Sequence, residues 1–109
     1  FLALKVSFCN EVYEFCQNKS INYENVRKLA VLDDRIGESH SNVPGHDGKL
    51  GYGGTCFPKD VNALLGFSKS HNIEINTIRG GWKTNLKLRP EKDWEKKEGR
   101  SVSFKKDNK

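Results

Sequence analysis

Residues 1–18, FLALKVSFCNEVYEFCQN, show the clearest periodic pattern in the chain. Apolar side chains recur there at spacings of three and four residues, which is typical of one stripe along an α-helix. The members of the stripe are Leu2, Val6, Cys9, Val12, Tyr13 and Cys16. Phe8 and Phe15 widen it, and a helix this apolar is expected to be buried between other helices.

Three further segments have helical patterns. Asn22 is a suitable N-cap for a helix over residues 23–32. Pro58 suits the first turn of a helix that runs to about residue 70, and another helix over residues 76–88 ends before Pro90. The positions expected to face inward in the second helix are Val26, Leu29 and Ala30. Because no convincing strand appears, the sequence predicts an all-α fold.

The length and charge of the chain indicate one small domain followed by a tail. The chain has 109 residues and a net charge of +5. We predict a helical domain over residues 1–88 and a basic tail over residues 89–109, with a short extended piece at 100–104. The basic excess lies after residue 81, and acidic residues interleave with its lysines. A basic tail can bind nucleic acid, but this mixture favours a solvated terminus without a nucleic-acid partner.

Other bulk features limit the class of protein. No apolar run approaches the roughly 20 residues that a membrane span needs, so no membrane partner is expected. The 3 cysteines are an odd number in a chain that is not cysteine-dense, which favours free thiols and a cytoplasmic setting. The chain contains 0 methionines and starts with Phe1 inside an apolar run, so we expect a piece of a larger protein.

Residues 51–60, GYGGTCFPKD, carry the strongest functional signal. A glycine-rich turn precedes Cys56, and Pro58, Lys59 and Asp60 open a helical pattern. The N-terminus of a helix favours anions, so it stabilises a thiolate. The segment therefore predicts a reactive cysteine beside a cation and a carboxylate. The alternative is a buried structural cysteine, since free cysteine packs as a small hydrophobe.

This segment resembles the active-site segment of the UDP-glucose/GDP-mannose dehydrogenase family. Residues 1–11 (FLALKVSFCNE) resemble the long helix that precedes it in the family, and residues 33–37 (DDRIG) resemble the family's arginine loop. Residues 82–85 (WKTN) and 89–94 (RPEKDW) resemble the end of the central domain. The resemblance covers nearly the whole chain.

The resemblance implies a fold and an activity. The fold is a helical central domain, similar to the C-terminal domain of 6-phosphogluconate dehydrogenase, that forms a homodimer through the long N-terminal helix. The activity is the NAD-dependent oxidation of the C6 alcohol of a UDP-sugar to a carboxylate, in the cytoplasm, for polysaccharide biosynthesis. The phenylalanine at position 57 resembles the UDP-glucose members of the family more than the GDP-mannose members, because the latter tend to have leucine at this position.

The resemblance also implies residue roles. Cys56 is the nucleophile and contacts NAD, Lys59 lies beside NAD, and Asp60 assists hydrolysis. Arg35 reaches the substrate from the partner subunit. The substrate-binding loop contains Gly51, Tyr52 and Gly53. Structural alternatives remain open at this stage: Lys59 as a solvated residue, Asp60 as a helix-dipole carboxylate, Tyr52 as a core aromatic, and Arg35 in an ion pair with a neighbouring aspartate.

Two features depart from the family pattern. Residues 38–50 form a longer stretch than in many members. The family's catalytic lysine and asparagine lie just before the position of Phe1, and a Gly-x-Gly-x-x-Gly fingerprint of an NAD-binding Rossmann domain is not seen in the sequence. We therefore expect NAD to be bound mainly by a domain outside this chain, and the chain alone to be inactive.

Three competing functions remain. A zinc module is disfavoured because Cys9 and Cys16 lack the close spacing of structural zinc ligands and Cys56 is distant, so no metal site is predicted. A nucleic-acid binder would depend on the basic tail, which has few aromatic residues for stacking. A non-catalytic helical dimerisation module is the strongest alternative, because it would retain the helices without the chemistry.

Overall fold

The computed structural model describes residues 1–96, which contain four α-helices. They are α1 (Leu2–Asn18), α2 (Tyr23–Ala30), α3 (Cys56–Ser70) and α4 (Asn76–Leu88), and a single 3-10 turn follows at Asp93–Lys96. No strand occurs within this range. The predicted all-α class is therefore confirmed. None of the helices in this range combines the length and apolarity that a membrane crossing requires.

Close contact between α1 and α4 forms the centre of the domain. The Ser7 hydroxyl donates a hydrogen bond of 2.8 Å to the carbonyl of Gly81. A Cβ added to Gly81 would lie 2.6 Å from Leu4 Cδ1, so the Leu4 side chain would have to move to make room for it. The glycine of α4 thus allows the two backbones to approach closely.

The helix α2 docks through its first turn. The side chain of Asn22 accepts a hydrogen bond of 3.2 Å from the backbone N–H of Asn25 and so caps the helix, as predicted. Tyr23 is buried and donates a hydrogen bond of 2.7 Å to the carbonyl of Ser41. The prediction that Val26, Leu29 and Ala30 face inward is wrong, because all are exposed and Leu29 is 72% exposed.

The helix α1 is covered on one side only. Its buried residues are Ala3, Ser7, Asn10 and Cys16. Phe8 and Phe15 are 64% and 59% exposed. The expected burial of α1 between other helices is therefore wrong for the single chain, since α2 and α4 leave one face of α1 uncovered.

An aromatic cluster attaches the residues after α4 to the domain. The ring centroids of Trp82 and Trp94 are 5.2 Å apart, and those of Tyr52 and Trp82 are 6.1 Å apart. Trp94 is buried, so the 3-10 turn packs against α4. The rest of the tail, with the extended piece predicted at 100–104, lies outside the described residues.

Candidate functional site

A cavity of about 680 Å³ lies beside Cys56. The long connection between α2 and α3 forms most of its wall, with Val6 of α1 and two residues that follow α4, Arg89 and Asp93. The predicted loop residues Gly51, Tyr52 and Gly53 all line it. The volume is in the range of small-molecule sites in proteins.

Cys56 is the first residue of α3 and is exposed. The helix begins two residues before the predicted start at Pro58. Thr55 precedes it, with its Oγ1 3.8 Å from Cys56 Sγ, and makes no side-chain cap. The thiol therefore lies where first-turn N–H groups and the helix dipole favour negative charge. It borders the cavity rather than an apolar core.

Lys59 and Asp60 follow in the first turn and a half of α3. Their side chains are 53% and 70% exposed, and Lys59 Nζ lies 3.6 Å from Asp60 Oδ1. Asp60 is four residues after Cys56, so the two side chains share one face of the helix. Cys56 lines the cavity, whereas Lys59 and Asp60 are not among the described residues that line it. Both charged groups are therefore exposed next to the thiol without lining the cavity themselves.

Two buried asparagines hold the glycine-rich segment, and the sequence reasoning missed both. Asn85 is fully buried in α4; its Oδ1 accepts a hydrogen bond of 2.8 Å from the N–H of Tyr52, and its Nδ2 donates one of 3.0 Å to the Tyr52 carbonyl. Asn10 of α1 accepts from the N–H of Gly51 at 3.1 Å. The sequence did contain one indication of the role of Asn10, since it is a polar residue next to the apolar stripe of α1.

Two glycines of the segment have no room for a side chain. Gly51 has a φ of +71°, and a Cβ there would lie 2.5 Å from Asn85 Oδ1. A Cβ at Gly53 would overlap Arg89 Nη1 and approach the Asp93 carboxylate. Glycine at these positions thus allows α4 and the residues that follow it to contact the backbone of the segment directly.

Arg89 is a second group that the sequence reasoning missed. It is 1% exposed, and its guanidinium donates to the carboxylates of Asp47 and Asp93 at 2.5 Å and 2.8 Å. It also donates to the carbonyl of Leu50 at 2.8 Å. Burial raises the pKa of Asp47, but the hydrogen bond from Arg89 and its charge outweigh burial and hold that pKa below its usual value.

The Tyr52 ring belongs to the aromatic cluster. It is 6% exposed and packs edge-on against Phe57 with ring centroids 5.7 Å apart. Burial raises the pKa of its hydroxyl well above the ordinary value. Tyr52 is therefore a core aromatic that also lines the cavity, so the two roles considered for it from sequence are compatible.

Arg35 lies away from the cavity of its own chain. Its side chain is 90% exposed and forms a two-point ion pair with Asp33, at 2.7 Å and 3.0 Å. The hydrogen bonds from Arg35 lower the pKa of Asp33. Within the described part of the chain, the cavity lining does not include Arg35.

The chain is similar to proteins of known class. Residues 1–87 match the model of the UDP-glucose/GDP-mannose dehydrogenase family, central domain. The UDP-glucose 6-dehydrogenase of Rickettsia felis is 38% identical over 90 residues, which are 83% of this chain and 19% of that protein. UDP-glucose 6-dehydrogenase TuaD of Bacillus subtilis is 36% identical over 89 residues, or 82% of this chain and 18% of the relative. The Pseudomonas aeruginosa UDP-glucose 6-dehydrogenase is 39% identical over 79 residues, 72% of this chain and 16% of the relative.

Proposed function

The chain belongs to the UDP-glucose/GDP-mannose dehydrogenase family, and from this we propose that it is the central segment of a longer UDP-glucose 6-dehydrogenase. It spans 19% of the length of the Rickettsia felis relative. The complete enzyme would oxidise the C6 alcohol of UDP-glucose to a carboxylate. The observation that carries the proposal is an exposed cysteine, Cys56, at the start of α3 on the edge of the cavity.

The proposed chemistry is covalent catalysis by the Cys56 thiolate. Its Sγ attacks the aldehyde formed by the first oxidation and gives a thiohemiacetal. After oxidation of this adduct to a thioester, water releases the sugar acid and the free thiol returns. This sequence divides a difficult oxidation into smaller steps. The Gly51–Gly53 backbone, which lies along the same cavity, would hold the sugar nucleotide next to the thiol.

NAD, when bound, supplies the hydride acceptor that no side chain can provide. The described residues fit one edge of an NAD site, because Lys59 presents an exposed ammonium one turn after Cys56. A lysine there can meet an anionic group of the cofactor. We propose that a Rossmann domain outside this chain binds the rest of NAD, and that the chain alone is inactive.

Asp60 would assist the hydrolysis of the thioester. Its carboxylate is exposed and lies on the same face of α3 as Cys56, one helical turn away. From there it can accept a hydrogen bond from the attacking water and hold it near the thioester carbon.

We propose a homodimer formed through α1, with Arg35 completing the site of the partner subunit. Phe1, Phe8 and Phe15 are exposed and recur every seven residues, which is the spacing of one seam of a helix pair. Arg35 is exposed and outside the cavity of its own chain, which supports a role across the interface. Its planar fork suits phosphate or diol oxygens.

A cytoplasmic enzyme is the setting that fits three free cysteines. The alternative function is a non-catalytic helical dimerisation module, which the exposed face of α1 would also suit. The two differ in what they require of Cys56. A module that only associates has no need of an exposed thiol next to a cavity.

The deciding experiment measures sugar-acid formation from UDP-glucose and NAD by the complete enzyme and its Cys56→Ser variant. The matched control is Cys9→Ser, which changes a thiol on α1. We expect a loss of at least about 100-fold for Cys56→Ser, because the nucleophile is gone, and near-normal activity for Cys9→Ser. Undiminished acid formation by Cys56→Ser would defeat the enzymatic assignment.

A further inference from the structure

Arg89 is a buried cation whose contacts lie at the cavity edge. Its side chain is 1% exposed, although a charged group is expensive to bury unless it is paired and hydrogen-bonded. It follows α4 as the C-cap residue, and the backbone N–H of Arg89 donates to the Asn85 carbonyl at 2.8 Å. The guanidinium therefore projects from a rigid helix end.

The hydrogen-bond acceptors of the guanidinium belong to two segments, the loop before α3 and the 3-10 turn after α4. Nε donates to the carbonyl of Leu50 at 2.8 Å, and Nη2 donates to Asp47 at 2.5 Å and to the Gly51 carbonyl at 3.4 Å. Nη1 donates to Asp93 of the 3-10 turn at 2.8 Å. One side chain thus joins α4, the turn and the loop, and Asp47, Asp93 and Gly51 all line the cavity.

The charges around Arg89 form a compact cluster. Lys49 Nζ lies 3.6 Å from Asp93 and 3.7 Å from Glu91, so two cations face three carboxylates. The other oxygen of Asp93, Oδ1, is buried and has no hydrogen-bond partner in the described structure. Gly53 packs directly on Arg89 and Asp93 with no space for a Cβ. The backbone of the loop therefore packs directly against the charged side chains of this cluster.

We infer that Arg89 is a positioning residue that fixes loop residues 47–53 against α4 and thereby sets the affinity of the cavity for the nucleotide sugar. Arg89 itself borders the cavity, but each of its three guanidinium nitrogens donates to a protein acceptor, so we expect its effect on binding to pass through the loop. Lysine cannot replace it, because one ammonium lacks the planar fork that reaches both carboxylates and the carbonyls. The identity of the ligand rests on the proposed function, whereas the effect on the loop does not.

The test compares Arg89→Lys and Asp47→Asn with the wild type in the complete enzyme. Asp47→Asn provides a second route in case Arg89→Lys fails to fold, because its side chain is 35% exposed. The matched control is Arg79→Lys, on the same helix and outside the cluster. Hydrogen–deuterium exchange of residues 45–53 reports the loop, and steady-state kinetics with UDP-glucose separate KM from kcat.

We expect hydrogen–deuterium exchange of residues 45–53 to become at least about tenfold faster in both variants, because each variant loses a charge-assisted hydrogen bond that holds the loop against α4. KM for UDP-glucose should rise while kcat stays within about twofold, because the loss falls on binding. The control should match the wild type in both measurements.

Unchanged exchange in Asp47→Asn, or in a folded Arg89→Lys, would overturn the inference. Faster exchange with an unchanged KM would overturn it too, because the cluster would then be structural only. If the wild-type enzyme does not oxidise UDP-glucose, the proposed function fails. The exchange result then still decides whether Arg89 holds the loop.

Discussion

Replacing Gly51 with alanine tests whether the glycine-rich segment rests directly on α4. Gly37 is the matched control, because both glycines have a φ of +71°. A Cβ at Gly37 meets nothing within 4 Å, whereas a Cβ at Gly51 would lie 2.5 Å from Asn85 Oδ1 and 3.3 Å from Leu88 Cβ. The difference between the two substitutions therefore isolates the packing against α4.

The magnitude follows from the contacts. Alanine in the left-handed region costs about 1–2 kcal/mol, which is the whole effect expected for Gly37→Ala. Gly51→Ala must in addition displace Asn85, which makes hydrogen bonds of 2.8 Å and 3.0 Å to Tyr52. Breaking them adds about 1–3 kcal/mol for the buried groups left unpaired. We expect Gly51→Ala to lower the free energy of unfolding by roughly 2–5 kcal/mol in total.

The assay is denaturant unfolding of the chain, followed by the fluorescence of Trp82 and Trp94, which pack together. Protein concentration must be held fixed, because association changes apparent stability. The double variant with Asn85→Ala should lose about 1 kcal/mol less than the sum of the single losses, since the obstructing amide is absent. If Gly37→Ala and Gly51→Ala lower the free energy of unfolding equally, the glycine-rich segment does not rest directly on α4.

Three further outcomes follow from exposure and charge. Iodoacetamide should modify Cys56 at least about tenfold faster than Cys16, which is 2% exposed, and peptide mass spectrometry would reveal the opposite order if the exposure argument fails. The pKa of Asp47 is lowered in the fold, so its stabilising effect is full above its ordinary pKa and is lost as the pH falls through the folded value. The stability difference between the wild type and Asp47→Asn should therefore shrink below about pH 4, and a constant difference in acid titrations would contradict this. Phe8→Glu should abolish dimers in light scattering while Phe67→Glu, an equally exposed site on α3, should not; equal effects would exclude α1 as the interface.

The local patterns predicted the helices well. Apolar periodicity, the N-cap Asn22 and the helix breaker Pro90 predicted most helix ends within two residues of their positions in the structure. Capping and helix-breaking residues act locally, so they can be recognised from the sequence. The start of α3 was predicted at Pro58 but lies at Cys56, because the first turn of a helix accepts proline at its later positions as well as at its first. The exposure of Leu29 was missed because an amphipathic pattern does not reveal whether its apolar face has a partner.

The site was predictable only in part. The glycine-rich turn and helix start indicated the placement of Cys56, since both signals lie within a few residues of it. The supporting contacts of Asn10, Asn85 and Arg89 span 33 to 42 residues along the chain. No local periodicity encodes such contacts, so they emerge only from the packing of α1 and α4 around the loop.

The most direct measurement examines the sulfur of Cys56 during turnover. The complete enzyme carrying Asp60→Asn, in which hydrolysis should be slowed, is mixed with UDP-glucose and NAD, quenched in acid and digested for mass spectrometry. We expect the mass of an oxidised sugar nucleotide on the peptide that contains Cys56, and none on Cys9 or Cys16. Continued formation of sugar acid by an enzyme whose Cys56 stays unmodified would contradict the account.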